Sequence, residues 1–223
     1  MLIIKFSKTG EAAYIPHLDT LRVFIRTLKR AEIDVKMSEG FNPHPCLYFS
    51  NPIPLGLETA AEYCAIDTGA NEKDFNKKFN KFSPAGIKCS AAKQVVKNPN
   101  FANILSAAEY KIEIENLKNK KEIMSGILER PFVLDYKTKT QTIKKDFRPL
   151  IYQISQESDT LKCVFSSGKE NLRHDIFIDE ILRLTNLNKV VSVLKTAQFY
   201  IDNNKLINAD NFFRSGHKEF LGV

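Results

Sequence analysis

Two short segments of the sequence concentrate the side chains that could do acid–base or metal chemistry. His17 and Asp19 open a stretch with helical periodicity, and Glu39 and His44 lie in the later segment Ser-Glu-Gly-Phe-Asn-Pro-His-Pro. Imidazole and carboxylate groups exchange protons with substrates, and they also bind zinc, manganese or iron. If the helix start and the loop meet at one end of a sheet, these residues form a candidate catalytic site, to which we assign no metal.

The loop segment from Ser38 to Pro45 has the composition of a binding loop. Pro43 and Pro45 fix the backbone on either side of His44, and the glycine favours a positive φ angle or the close approach of a ligand. Polar and conformationally special residues in one loop favour a functional role. We expect the loop to contact a substrate through Ser38, Gly40, Phe41 and Asn42.

The residues of both segments could instead have purely structural roles. Side chains two positions apart on a helix diverge by about 200°, so His17 and Asp19 do not share one helix face. Either residue could instead cap the first turn that follows Pro16. The loop could likewise be a hydrogen-bonded turn that buries Phe41.

Cationic residues form a second group of candidates. The net charge of +7 and the pI of about 9.1 favour a polyanionic partner. The first predicted helix carries a basic stripe, formed by Arg22, Arg26, Lys29 and Arg30. Arg22 and Arg26 are four residues apart, a spacing that suits phosphate contacts. Lys144 and Lys145 lie in the Lys- and Thr-rich residues 137–146, which we expect to form a loop. Both clusters could also be ordinary solvated surface.

The hydrophobic pattern predicts an α+β fold of two ferredoxin-like (βαββαβ) units in tandem, with antiparallel sheets and helices on one face. Residues 1–97 give the order strand, helix, strand, strand, helix, strand, which is the split βαβ pattern. The predicted elements of this unit are Leu2 to Phe6, His17 to Arg30, Leu47 to Phe49, Glu62 to Asp67, Glu72 to Phe82 and Gly86 to Val96. The predicted apolar stripe of the helix His17 to Arg30 consists of Leu18, Leu21, Phe24, Ile25 and Leu28, which recur at helical spacing.

Residues 104–202 are predicted to form the second unit, with a basic loop insertion. Its predicted helices run from Lys120 to Leu128 and from Asp175 to Thr185. Its predicted strands are Ala108 to Glu115, Phe132 to Tyr136, Leu150 to Ser155, Leu161 to Phe165 and Val190 to Ile201. Residues 203–223 are predicted to be a polar, loosely attached tail.

Several classes of protein lack support in the sequence. The GxxxxGK[ST], GxGxxG, HExxH and GxSxG motifs do not occur. The cysteines at positions 46, 64, 89 and 163 are too widely spaced for an iron–sulfur or zinc signature, so we expect reduced, buried thiols. No apolar run reaches the roughly 18 residues of a membrane span, and we expect a cytoplasmic protein without a membrane partner.

Residues 3 to 63 resemble the radical-SAM-associated, or radical-SAM-linked, protein family. The resemblance rests on FSKTG, YIPHLDTLRVFIR, SEGFNPHP and PLGLETAAEY, which start at Phe6, Tyr14, Ser38 and Pro54. This sequence departs from the family pattern at Thr59, where serine is usual, and at Cys46, where arginine or lysine is frequent.

The resemblance implies an accessory role, because family members occur fused to or encoded beside cobalamin-binding radical SAM proteins. Since this chain has no three-cysteine cluster, S-adenosylmethionine, the iron–sulfur cluster and cobalamin would belong to that partner. We expect an RNA-binding accessory protein that works with the radical SAM partner in tRNA or rRNA modification or processing. Two alternatives stay open: an enzyme that acts on RNA or a nucleoside through His17, Glu39 and His44, and a module that only docks the partner protein.

Overall fold

The computed structural model describes residues 1–120, 126–137, 141–168 and 170–214. These residues form a mixed α+β protein with a mostly antiparallel sheet and few helices. The chain divides into two units: Met1–Leu105 with the chain from Ala197 onward, and Ser106–Thr196. The predicted helix start and binding loop both belong to the first unit, so that unit positions the candidate site.

The sheet of the first unit is built around its first strand. The strands of this unit are β1 (Leu2–Lys8), β2 (Leu47–Phe49), β3 (Glu58–Ile66), β4 (Ile87–Gln94), the second half of β10 (Val190–Asp202), and β11 (Lys205–Asn208). β1 pairs antiparallel with β3 on one side and β4 on the other. The last residues of β3 pair antiparallel with β2, and β3 also neighbours β10, which pairs with β11.

Two helices, α1 (His17–Arg30) and α2 (Glu72–Phe82), cover one face of this sheet. Their bounds, and those of β2, match the predicted ones. Asn71 caps α2, since its side chain accepts hydrogen bonds from the backbone N–H groups of residues 73 and 74. Phe24 of α1 and Phe79 of α2 contact each other at a centroid distance of 5.1 Å, so the helices share one buried aromatic core.

The buried stripe of α1 differs from the predicted one at its first turn. Leu18 was expected in the core, but 69% of it is exposed. Thr20, Phe24, Thr27 and Leu28 are buried instead, at i, i+4, i+7 and i+8 spacing. Leu18 lies two positions before this stripe, about 200° around the helix, and it therefore faces away from the sheet.

The opposite face of the sheet is covered by residues 209–213 and by the short helix α3 (Phe101–Ile104). Ala209 and Phe212 are buried there. Asp210 accepts a hydrogen bond from the buried Tyr63 hydroxyl at 2.7 Å and pairs with Lys5 at 2.7 Å. Residues 205–213 are thus packed in place rather than loosely attached as expected, and residues 215–223 of the predicted tail lie outside the described chain.

The second unit contains β5 (Leu105–Ile114), β8 (Ile151–Glu157), β9 (Thr160–Ser166) and the first half of β10, in the order β10, β5, β9, β8. β9 pairs antiparallel with both β5 and β8. The helix α4 (His174–Thr185) begins one residue before its predicted start. Its Phe177 packs against Phe165 of β9 at a centroid distance of 4.6 Å, which fixes the helix on this sheet.

A separate two-stranded ribbon stands where a basic loop was expected. β6 (Val133–Lys137) pairs antiparallel with β7 (Thr142–Asp146), so the second half of the Lys- and Thr-rich segment is a strand. Pairing with β6 gives hydrogen-bond partners to backbone N–H and C=O groups that would bond to water in a loop. Residues 138–140 of that segment and 121–125 of the predicted helix Lys120 to Leu128 lie outside the described residues; Leu117–Lys120 is a 3₁₀ turn.

We expect Asp210→Ala to lower the free energy of unfolding by about 1–3 kcal/mol, because the change leaves the buried Tyr63 hydroxyl without its acceptor. Urea denaturation followed by circular dichroism measures the change. The double variant Tyr63→Phe/Asp210→Ala removes that unpaired hydroxyl, so it should be less destabilised than Asp210→Ala alone. An unchanged urea midpoint for Asp210→Ala would contradict this role of the carboxylate.

Candidate functional site

His17 lies at the mouth of a small cavity between α1, β1, β3 and the chain after β2. Its ring meets the Phe49 ring edge-on at a centroid distance of 6.0 Å. The cavity has a volume of about 20 Å³, which is room for about one water molecule. Its lining consists of Phe6, Lys8, His17, Thr20, Phe49, Ser50, Asn51, Ile53 and Glu62.

Lys8 is a buried cation in this lining, with only 2% of the residue exposed. Its Nζ donates hydrogen bonds to the carbonyl oxygens of Ala13 at 3.3 Å and Ile15 at 2.5 Å. Burial lowers the pKa of Lys8, and the negative charge of Glu62 opposes that shift. Lys8 therefore ties the last residue of β1 to the segment that leads into α1.

Glu62 is the matching buried anion, with 4% of the residue exposed. Its carboxylate accepts hydrogen bonds from Thr59 Oγ1 at 2.8 Å, Ser50 Oγ at 3.1 Å and Gln198 Nε2 at 3.4 Å. Three donors and a nearby ammonium group compensate the cost of burying the charge. Thr59, which replaces the serine of the pattern that the sequence resembles, thus places its hydroxyl on this carboxylate.

Sequence reasoning missed both buried charges, although the strand alternation contains the signal. Lys8 follows Leu2, Ile4 and Phe6 at every second position of β1, so it faces the same helix-covered core. Glu62 has the same relation to Cys64 and Ile66 in β3. A charged residue in phase with the core side of a strand is a site candidate.

The Ser-Glu-Gly-Phe-Asn-Pro-His-Pro segment is a closed loop, which we call the 37–45 loop. Met37 and Pro45 form an isolated antiparallel bridge at its base. Above this bridge, Ser38 Oγ lies 2.8 Å from His44 Nδ1 and accepts the His44 backbone N–H at 3.0 Å. The Ser38 backbone N–H donates to the His44 carbonyl at 2.8 Å. The predicted loop residues Ser38 and His44 thus act together to fix the loop.

Phe41 at the tip of the 37–45 loop is fully exposed, with a relative exposure of 105%. The predicted alternative of a hydrogen-bonded turn is thus wrong about the burial of Phe41, although the Ser38–His44 hydrogen bonds do close the loop. Glu39 and Asn42 are also exposed. Gly40 has φ +127°, which L side chains rarely adopt, so the tip conformation requires glycine.

The structure does not give the four predicted catalytic residues common contacts. His17 lines the cavity with Lys8, whereas the His44 ring is engaged by Ser38. Among the described residues, no group of three or more His, Cys, Asp or Glu side chains is arranged to hold a metal ion. The N-cap of α1 is Pro16 without a side-chain cap, and Asp19 pairs with Arg22 at 2.7 Å. Capping by His17 or Asp19 is thus not observed either.

A groove lies between the C-terminal half of α1 and the base of the 37–45 loop. It has a volume of about 280 Å³ and is lined by Ile25, Leu28, Lys29, Glu32, Ile33, Asp34, Val35, Met37 and Pro45. Arg26 and Lys29 are exposed on this part of α1 and form no ion pair with another described residue. Arg30 instead donates to the Phe82 carbonyl at 2.9 Å. The predicted basic stripe is therefore only partly available to a ligand.

The other predicted basic residues, Lys144 and Lys145, lie on β7 in the second unit. Lys144 is exposed opposite Asp135 in the ribbon register. Lys145 Nζ lies 5.8 Å from the Tyr136 ring centroid and 5.4 Å from that of Phe147. These cation–π contacts give Lys145 a role within its own unit.

Three of the four thiols are unsuited to nucleophilic chemistry. Cys64, Cys89 and Cys163 are buried, and burial raises the pKa of each, that of Cys89 to about 12. The protonated thiol is a poor nucleophile and metal ligand. Cys46 is half-buried. The expectation of buried thiols is thus met at the three positions other than Cys46.

The motif-bearing segments and the second unit up to the start of α4 are covered by one family model. Residues 1–174 match the family described as "Uncharacterized protein conserved in bacteria (DUF2344)". The chain belongs to this family. The comparison with curated proteins gives no match. In the part of this DUF2344 protein that the structure describes, no helix is both long enough and apolar enough to cross a membrane.

We expect Lys8→Met to destabilise this DUF2344 protein by roughly 3 kcal/mol, because the carboxylate of Glu62 then stays buried without its nearby cation. Urea denaturation at pH 7 measures the loss. Lys8→Met/Glu62→Gln should recover part of it. Lys88→Met, at an exposed position of the neighbouring strand β4, is the matched control. Equal effects of Lys8→Met and Lys88→Met would overturn the role given to the buried charge.

Proposed function

We propose that the chain binds single-stranded RNA on the face formed by α1 and the 37–45 loop. The observation that carries the proposal is the fully exposed Phe41 at the tip of a loop that Ser38 and His44 hold closed. A large apolar ring that the protein keeps in water has no stabilising role in the fold. Such a ring stacks on an unpaired base, an interaction worth about 1–3 kcal/mol per base.

The neighbouring helix supplies the charge that an RNA backbone needs. Met37 and Pro45 at the loop base line the same groove as Ile25 and Lys29 of α1, so the loop and this part of the helix share one face. Arg26 and Lys29 are exposed there. An aromatic tip beside unpaired cations is the combination by which proteins hold single strands.

The proposal includes a radical SAM partner, as the resemblance of residues 3 to 63 implies. RNA modification or processing would then be the partner's reaction, with S-adenosylmethionine, an iron–sulfur cluster and cobalamin bound to the partner. We also propose that both units are ferredoxin-like. The strand orders β4, β1, β3, β2 and β10, β5, β9, β8 support this, because each is the 4-1-3-2 order of a βαββαβ unit.

An acid–base enzyme is the second candidate, and one observation favours it. His17 lines a cavity with the buried Lys8 and Glu62, and proximity of charged groups to an imidazole is a common feature of catalytic sites. Glu39 and His44 do not share this lining, so the enzyme candidate now rests on His17 and not on the predicted cluster.

Phe41→Ala should weaken the binding of a fluorescein-labelled single-stranded RNA about tenfold, because one stacked base is lost. Fluorescence anisotropy at physiological salt measures the change. The matched control is Leu55→Ala, which removes a side chain that is 64% exposed outside the 37–45 loop. RNA binding that is weak, equal to that of duplex DNA and lost as salt rises would reject the proposal. Docking of a partner protein would then be the better explanation of Phe41.

Arg26→Ala/Lys29→Ala should reduce the dependence of binding on salt. Each phosphate contact in a single strand contributes about 0.7 to the slope of log K against log salt, so the slope should fall by about 1.4. Anisotropy titrations at several salt concentrations measure it. Lys111→Ala/Lys162→Ala removes the same charge from an exposed pair on β5 and β9 and should leave the slope unchanged. Equal slopes for the two double variants would exclude this helix as the phosphate contact.

A further inference from the structure

The groove beside the 37–45 loop is large enough for one flat aromatic ring. Its volume of about 280 Å³ exceeds that of the cavity under His17, which has room for about one water molecule. Apolar side chains line it from both sides, Ile25 from α1 and Met37 and Pro45 from the loop base. An aromatic ring bound against these side chains would remove apolar surface of the ring and of the groove from water.

Two carboxylates, those of Glu32 and Asp34, lie in the same lining. Both residues are exposed, and neither carboxylate forms an ion pair or side-chain hydrogen bond with another described residue. The main chain beneath them is fixed, because the Asp34 carbonyl accepts the Thr68 hydroxyl at 2.6 Å. The groove thus offers two acceptor groups on a rigid edge, next to apolar walls.

The backbone at Glu32 gives glutamate no structural advantage. Glu32 has φ +52° and lies just after the end of α1, where the backbone N–H of Ile33 closes the helix on the Leu28 carbonyl at 3.0 Å. Glycine is the usual residue at this left-handed position, because a Cβ atom is strained there. Glu32 therefore places a carboxylate at a position where glycine would relieve the backbone.

We propose that this groove binds a guanine base of the single-stranded RNA, an inference that rests on the proposed function. Guanine presents two adjacent donors, N1–H and the 2-amino group, on its Watson–Crick edge. Adenine and cytosine present one amino group next to an acceptor, and uracil presents one N–H between two carbonyl groups. Carboxylates accept hydrogen bonds only, so Glu32 and Asp34 favour guanine and repel the carbonyl edge of uracil.

The neighbouring charges fit the same ligand. Lys29 belongs to the groove lining and Arg26 lies one turn earlier on an exposed position, so cations stand where the phosphates beside the bound base would run. Phe41 at the loop tip would stack on an adjacent base. Guanine in the groove and a stacked neighbour together define a site of about two nucleotides.

Single-stranded oligonucleotides with one central variable base, in an otherwise uridine context, test the proposal by anisotropy at physiological salt. The unaltered protein should prefer guanosine over adenosine about tenfold, and inosine, which lacks the 2-amino group, should lose most of that preference. Asp34→Asn should abolish the preference, and it should strengthen rather than weaken binding of the all-uridine strand, because the change removes a charge that repels the uracil carbonyl groups. Asp179→Asn is the matched control, because that exposed carboxylate lies on α4 and does not line this groove.

The variant Glu32→Gly tests whether the Glu32 side chain contributes to binding rather than to the stability of the fold. Its melting temperature should stay the same or rise, since glycine relieves the left-handed backbone, whereas the preference for guanosine should fall. Equal affinity for all bases, unaltered by Asp34→Asn and Glu32→Gly, would overturn the guanine site and leave RNA binding standing. If no strand binds at physiological salt, the proposed function itself fails, and the guanine site fails with it.

Discussion

The buried charges of Lys8 and Glu62 are the constraint on which the arrangement of the first unit depends. Lys8, at the end of β1, holds the carbonyl groups of residues 13 and 15 and thereby fixes where α1 starts. Glu62 on β3 gathers Ser50, which follows β2, and Gln198 of β10. A buried charge tolerates little displacement of its partners, because each lost hydrogen bond leaves the free energy of desolvation uncompensated. The positions of His17 and of the chain around β2 follow from this network.

Much of the first unit could be predicted because its elements satisfy local and tertiary requirements together. The helix His17–Arg30 carries an apolar stripe, and Glu72–Phe82 has an asparagine cap and two phenylalanines one turn apart, so both helices were predicted with their observed bounds. The stripe failed only at Leu18, where a face some 100° wide does not include a residue two positions before its first member. Hydrophobic periodicity therefore predicts the bounds of these helices better than it predicts which of their residues are buried.

The candidate site was harder to predict, since its contacts join residues that are distant in the chain. Glu62 meets Gln198 across 136 positions, and no local pattern reports such a pair. The 37–45 loop was recognised from its residue types, but the exposure of Phe41 follows from the Ser38–His44 closure, which sequence does not reveal. The segment 205–213 looked polar, yet its Ala209 and Phe212 complete the core behind Tyr63. Proximity in space, rather than residue type, was the missing information in each case.

The division between buried and exposed groups bears on the choice between a binding module and an enzyme. The cavity that Lys8 and Glu62 line has a volume of about 20 Å³, which is room for about one water molecule. Burial also raises the pKa of Cys64, Cys89 and Cys163, which keeps these thiols protonated. The reactive side chains inside the protein thus serve the fold, and the face with Phe41 offers a stacking ring, cations and acceptors. This composition supports the proposed role, because an accessory to another enzyme has to hold and orient a ligand.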